Sequence, residues 1–423
     1  MTLEQILKPR SIVVVIGAGG VGKTTVAAAL GVAAARARLD TALVTVDPSR
    51  RLRDALGVTR LGGAPARVGA RTLKAAGLDP SLKLSAMMLD VKGAWDTMVA
   101  DHVLDPVARR RIMENAFYRS LSGRFAGADA YAALEAILRL HQAARFDLEV
   151  VDTPPASHAF DFVEGPARLA RLLDSHAVRW MLKANSAATT PLALRLAGRA
   201  ARFVATELER YAGVNAFSSI TDFFDAAAGA VDGFTEGMRA SAALMRSESV
   251  RFVLVTTAEE DRIRLARAIV DSMATERLPL AAIVINRIID ERLLEPIARE
   301  ARAGGGLMDE MKRLGLAMRA GDSAGRGAAA LAGYIEGRRS DATERLGRVR
   351  RFAATIPRRI AVAIAPELRV GIRGLAAPAR LAGFLESGWD FFRAAERPKT
   401  RRGAGRARGS GPGRAKPDAG VSL

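Results

Sequence analysis

Residues 12–25 constrain this chain more than any other stretch. Five β-branched apolar residues, Ile12 to Ile16, run straight into Gly17-Ala18-Gly19-Gly20-Val21-Gly22-Lys23-Thr24-Thr25, and an alanine-rich segment with helical spacing follows. An unbroken apolar run of that length suits a strand buried on both faces, as parallel strands inside an α/β sheet are. Read from Gly17, the segment satisfies G-x-x-x-x-G-K-[ST]. Chemically, the glycines let the backbone wrap a phosphate, so that its N–H groups and the following helix N-terminus point at negative charge. In that pattern Gly19, Gly20, Val21 and Gly22 supply backbone, and Lys23 reaches the β- and γ-phosphates. Thr24 offers its hydroxyl to Mg²⁺, and Thr25 contacts an α-phosphate. A glycine turn before an ordinary helix is the bland alternative, and the strand in front with the helix behind argues against it.

Similar short apolar runs recur at wide spacing: Ala42 to Val46, Leu148 to Val151, Phe252 to Val255, Ala282 to Ile285 and Ile360 to Ile364. Helical patterns such as Thr25 to Arg38 and Asp261 to Met273 lie between them. This alternation predicts an α/β fold with a doubly wound, mostly parallel sheet. Two intervals exceed what one crossover helix needs, about 77–145 and 165–247. Both read as amphipathic helix, with Trp95 to His102, Ala128 to His141 and Ala167 to Leu182 as pieces. They predict a helical subdomain inserted into one P-loop domain spanning 1–395. The glycines at 304–306 read as a loop. Residues 396–423 shift to Arg, Gly, Pro, Lys and Ser without apolar periodicity, which predicts a disordered tail.

The chain of 423 residues carries a formal charge of +19. Eight Lys or Arg stand against one Asp between Arg397 and Asp418, and the rest of the excess is spread thinly, which argues against a nucleic-acid-binding face. Cysteine is absent, so disulfides, thiolate metal sites and thiol nucleophiles are excluded. No segment approaches the roughly 20 apolar residues of a membrane span, and the N-terminal apolar run is too short for a signal peptide. The cytoplasm is the expected compartment.

Two carboxylates follow strands. Asp47 emerges after the second run, in Val46-Asp47-Pro48-Ser49-Arg50-Arg51, and Asp152 ends the third, in Asp152-Thr153-Pro154-Pro155. Ligands of open α/β sheets bind beyond the carboxyl ends of the strands. There Asp47 can orient or deprotonate an attacking water, and Asp152 fits a Walker B aspartate holding the Mg²⁺ shell. A helix N-cap for Asp47 and a plain turn residue for Asp152 are the structural alternatives. His158 reads as a loop or capping residue.

In this order and spacing the segments resemble the ArsA-type ATPases, which include the arsenite-pump ATPase and the eukaryotic targeting factor for tail-anchored membrane proteins. The segments are the P-loop, the switch I-like Asp47-Pro48 and the switch II-like Asp152-Thr153-Pro154-Pro155. The interval of 105 positions from Asp47 to Asp152 is similar to that family and longer than in the ParA and MinD ATPases. Val255-Thr256-Thr257-Ala258-Glu259-Glu260, Ile283-Val284-Ile285-Asn286-Arg287 and Ile364-Ala365-Pro366-Glu367-Leu368, followed by Gly371 and Gly374, extend the likeness to about residues 10–390.

The resemblance implies a P-loop NTPase fold of the deviant Walker A type, with ATP and Mg²⁺ as cofactors. It also implies an adenine site involving Asn286, Arg287, Pro366 and Glu367. Hydrolysis would be coupled to opening and closing of a dimer that handles a hydrophobic membrane-protein client or energises a membrane partner. The family's signature lysine falls at Ala18. Arg50 or Arg51 is a candidate substitute, as is a paralogous subunit that brings the lysine to a heterodimer in place of a homodimer. Two other readings follow from the same residues: a ParA- or MinD-like nucleotide switch acting on DNA or membrane, and a weakly hydrolysing subunit of a heteromeric ATPase. Met87, Met88, Trp95, Met98 and Met113 suit either helix core or a flexible apolar groove, with core the commoner arrangement.

Overall fold

The structure, a computed structural model, describes residues 2–47, 51–124, 128–154, 216–227, 230–289, 323–368 and 374–387. The strands are β1 (Ser11–Gly17), β2 (Thr41–Thr45), β3 (Ala66–Arg67), β4 (Leu84–Met88), β5 (Leu148–Asp152), β6 (Val250–Thr257), β7 (Leu280–Ile288) and β8 (Ala361–Pro366). Before β5 come helices α1 (Leu3–Ile6), α2 (Lys23–Arg36), α3 (Arg51–Leu56), α4 (Ala70–Ala75), α5 (Val91–His102), α6 (Pro106–Glu114), α7 (Ala116–Arg124) and α8 (Ala128–Gln142). After it come α9 (Ala216–Ala227), α10 (Val231–Arg246), α11 (Glu260–Thr275), α12 (Ser323–Ala354) and α13 (Ala376–Ser387).

The strands form one sheet in the order β3-β4-β2-β5-β1-β6-β7-β8, parallel throughout except where β3 runs antiparallel to β4. Placing β1 at the centre, between β5 and β6, explains why its five apolar residues are all buried. Alternate side chains enter opposite layers. Val13 and Val15 pack with α2 and α13, while Ile12, Val14 and Ile16 pack with α8, α11 and α12. Register also sets the site: β5 pairs with both β1 and β2, so Val15 and Thr45 each stand opposite Asp152.

A third core lies among the helices. Trp95, Met98, Ile112, Phe117, Tyr118, Tyr131, Phe223, Phe234 and Met238 close around one another from α5 to α10. Trp95 meets Tyr131 edge to face at 5.5 Å between ring centres, and Phe117 meets Phe223 at 5.2 Å. Trp95 and Met98 are therefore core residues, and Met87 is buried on β4, so these side chains line no open groove.

The interval from 77 to 145, whose pattern predicts helix, is not helical throughout. It contains β4, whose Leu84-Ser85-Ala86-Met87-Met88 lacks β-branched residues and reads poorly as a strand. Pairing with β2 and burial of Leu84, Ser85, Ala86 and Met87 override that propensity. Two-residue β3 is also invisible in the sequence. Its Arg67 grips Asp40 through two hydrogen bonds of 2.9 and 2.7 Å, giving the sheet a short, charged edge. The segments Ala167 to Leu182, 304–306 and 396–423, together with Pro48, Arg50, Pro155, His158 and Gly371, lie outside the described residues. Among the described residues, no helix is long and apolar enough to cross a membrane.

Candidate functional site

Backbone geometry explains the P-loop glycines. Gly17 ends β1 at φ 147°, and a Cβ there would sit 2.2 Å from the carbonyl oxygen of Val255 on β6. Gly22 caps α2 in the left-handed region at φ 95°, where a Cβ would lie 2.3 Å from Asn286 Nδ2. Asn286, buried at the end of β7, clamps the loop: Nδ2 donates to the Val21 carbonyl at 2.9 Å, and Oδ1 accepts from the Arg287 amide at 2.9 Å. The clamp is a role that the sequence does not reveal.

Lys23 opens α2 with its side chain inside the loop. Nζ donates to the carbonyls of Gly17 (2.9 Å) and Ala18 (3.0 Å) and is buried. Burial holds its pKa below the ordinary lysine value, the nearby Asp152 and Asp47 oppose this, and Arg51 adds to it. Two neutral carbonyls are modest partners for a desolvated ammonium, and phosphate oxygens would replace them with charge-assisted bonds.

Asp152 gathers the neighbouring hydroxyls. Its Oδ2 accepts from Thr24 Oγ1 at 2.8 Å and from Thr45 Oγ1 at 3.3 Å, while Oδ1 is buried without a partner. Burial pushes its pKa up to about 6 against the pull of the Thr24 hydrogen bond and Lys23. An orphaned carboxylate oxygen beside a threonine hydroxyl is a hard-oxygen donor set, and it fits Mg²⁺, which takes few protein ligands and completes its shell with water and phosphate. Thr153 fixes the chain after β5, its hydroxyl donating to the Val15 carbonyl at 2.8 Å.

Asp47 is buried just beyond β2. Its amide donates to Thr45 Oγ1 at 3.2 Å, and its Oδ2 lies 3.4 Å from Arg51 Nη1. Thr45 thus touches both Asp47 and Asp152, a link made by strand register that no local pattern announces. A cavity of about 420 Å³ opens over these groups, lined by residues that include Gly20, Gly22, Lys23, Thr24, Thr25, Asp47, Arg51 and Arg287. Pro366 and Glu367 do not line it: the Glu367 amide donates to the Ile288 carbonyl at 2.9 Å, and its side chain pairs with Arg338 at 3.7 Å. Another cavity, of about 430 Å³, lies at the N-terminal ends of β6 and β7 beside Lys8 and Arg251 and contains no motif residue.

Comparison with known proteins agrees with this geometry. Residues 10–303 match the anion-transporting ATPase family. The chain is 30% identical over 175 residues to the ATPase get3 of Schizosaccharomyces pombe, covering 41% of this chain and 49% of that protein. It is 28% identical over 177 residues to the ATPase GET3 of Ajellomyces dermatitidis and to the ATPase get3 of Aspergillus terreus, covering 41% of this chain and 48% of each relative. The chain thus spans about half the length of the curated relatives it matches. With the family match covering most of its length and falling on the strand, loop and carboxylates just described, the chain belongs to the ArsA-type, anion-transporting ATPase family.

Proposed function

We propose that this chain binds Mg·ATP in the cavity at the end of β1 and hydrolyses it, using the energy to open and close a dimer. One observation carries the reading: Lys23 and Thr24 line one cavity at the mouth of a glycine loop, and the Thr24 hydroxyl donates to the buried carboxylate of Asp152. The backbone of Gly19 to Gly22 and the N-terminus of α2 would hold the phosphates, with Lys23 turning from the Gly17 and Ala18 carbonyls to the β- and γ-phosphates. Thr24 and Asp152 would hold Mg²⁺, which supplies charge neutralisation to the triphosphate when bound. Asp47 would orient the attacking water and take its proton. Thr25 would touch the α-phosphate, and the base would lie toward Asn286 and Arg287, with Pro366 and Glu367 flanking it. Positioning and electrostatics of this kind supply most of the catalysis in phosphoryl transfer.

The family resemblance supports a dimer, either of two copies or with a paralogue carrying a lysine where this chain has Ala18. It also supports a cytoplasmic setting and a hydrophobic membrane-protein client. Calorimetry with MgADP and steady-state phosphate release test the core of the proposal. Wild type is expected to bind one nucleotide per chain, and Lys23→Ala to lose turnover altogether. A well-folded wild type without adenine-nucleotide affinity, alone or with its co-subunit, would end this reading.

A further inference from the structure

The cavity holds a cation for which the P-loop pattern has no role. Arg51, the first residue of α3, lines the space together with Gly22, Lys23, Thr24 and Asp47, with Nη1 3.4 Å from Asp47 Oδ2. The pair is lopsided. Side-chain exposure is 11% for Asp47 and 59% for Arg51, so the carboxylate is set in the wall while the guanidinium reaches in from solvent on a long stem. An ion pair whose cation is that exposed is worth little, because water competes for the guanidinium. Arginine with phosphate is a stronger match, since the planar fork can donate two parallel bonds to oxygens carrying more charge. Arg51 also stands close enough to Lys23 to disfavour its charged form, which places the two cations on the same ligand space.

We propose that Arg51 is a γ-phosphate ligand supplied by the same chain, and that its bond to Asp47 is the resting half of an exchange. The inference rests on the ATP reading of the cavity. Without a γ-phosphate the guanidinium caps Asp47. When the γ-phosphate arrives, the guanidinium transfers to it, and the Asp47 carboxylate accepts a hydrogen bond from water. In the reaction the water oxygen bonds to the γ-phosphorus while the bond from phosphorus to the β–γ bridging oxygen breaks. The electron pair of that bond stays with ADP, and the water proton passes through Asp47 to the released phosphate. The transfer needs a γ-phosphate to receive the guanidinium, so ADP leaves the pair in place.

The experiment compares wild type, Arg51→Met, Arg51→Lys and Asp47→Asn for affinity toward MgADP and the magnesium complex of the β,γ-imido analogue of ATP, and for phosphate release. In Arg51→Met, MgADP affinity should stay within about twofold, analogue affinity should fall about tenfold, and kcat should fall about a hundredfold or more, as for loss of a phosphate-directed arginine. Arg51→Lys should recover part of the analogue affinity. Asp47→Asn weakens the resting pair, so it should tighten the analogue relative to MgADP. Equal losses for both nucleotides in Arg51→Met, an undiminished kcat, or an unchanged preference in Asp47→Asn would each overturn the exchange. Failure of wild type to bind MgADP is a different result, because it removes the ATP reading and the inference falls with it.

Discussion

A methyl group at Gly22 would meet two separate obstacles. The residue sits at φ 95°, a conformation that costs an L-residue roughly 1–2 kcal/mol. Its Cβ would also press to 2.3 Å from Asn286 Nδ2, the group that clamps the Val21 carbonyl. Gly22→Ala should therefore lower stability, shift the loop and weaken MgADP binding by at least an order of magnitude. Asn286→Ala removes the second obstacle and leaves the first. In a double-mutant cycle followed by urea midpoint, adding Gly22→Ala to Asn286→Ala should cost less than adding it to wild type, with a coupling of about 1 kcal/mol. Strictly additive costs would mean that Asn286 does not hold the loop.

At the scale of the element, β5 carries both Asp152 and, three residues earlier, Glu149. Glu149 faces the interior between β1 and β2, with Oε2 3.0 Å from His141 Nδ1 on α8 and Oε1 without a partner. Burial raises its pKa above the ordinary glutamate value, with His141 pulling the other way. A raised carboxyl means that the folded state prefers the neutral acid. That contribution to stability is complete below the unfolded-state value of about 4.3 and is lost as pH rises through the folded-state value. Glu149→Gln is neutral at every pH, so it should raise stability near pH 8 by on the order of 1 kcal/mol, with the advantage vanishing toward pH 4. Urea titrations across that range check the sign, and a variant equally destabilised at both ends would contradict it.

The elements also show what the sequence could and could not convey. Strands β1, β2, β5, β6, β7 and β8 are legible because burial on both faces demands unbroken apolar runs, and the helices α2 and α11 are legible from alanine-rich and amphipathic spacing. β4 is not, because a strand beside β2 needs only small or flexible side chains that pack, and Ser85, Ala86 and Met87 satisfy that without any β signature. The P-loop, Asp47 and Asp152 can be read locally since each follows a recognisable strand. Thr45 and the clamp from Asn286 cannot, because both arise from register between strands distant in sequence.

Across the whole molecule, the P-loop cavity is built on the two sheet-bound cores, whereas the third core is made from helices alone. Its residues come from α5 to α8, before β5, and from α9 and α10, before β6, so two distant stretches of chain meet there. Such a unit has its own contacts to lose, and its stability need not follow that of the sheet. Phe223 ties the stretches together, meeting Phe117 at 5.2 Å and stacking on Tyr118 at 6.3 Å. Deleting its ring in Phe223→Ala should cost about 3–5 kcal/mol within this core. Hydrogen exchange then distinguishes two designs. If the helices open as a separate unit, amides in 91–142 and 216–246 will exchange faster while those of β1, β5, β6 and β7 keep their protection, and MgADP affinity will barely change. If protection instead falls equally in the sheet, the three cores unfold as one, and motion of the helices could not be used to couple ATP to a client without loosening the site that binds it.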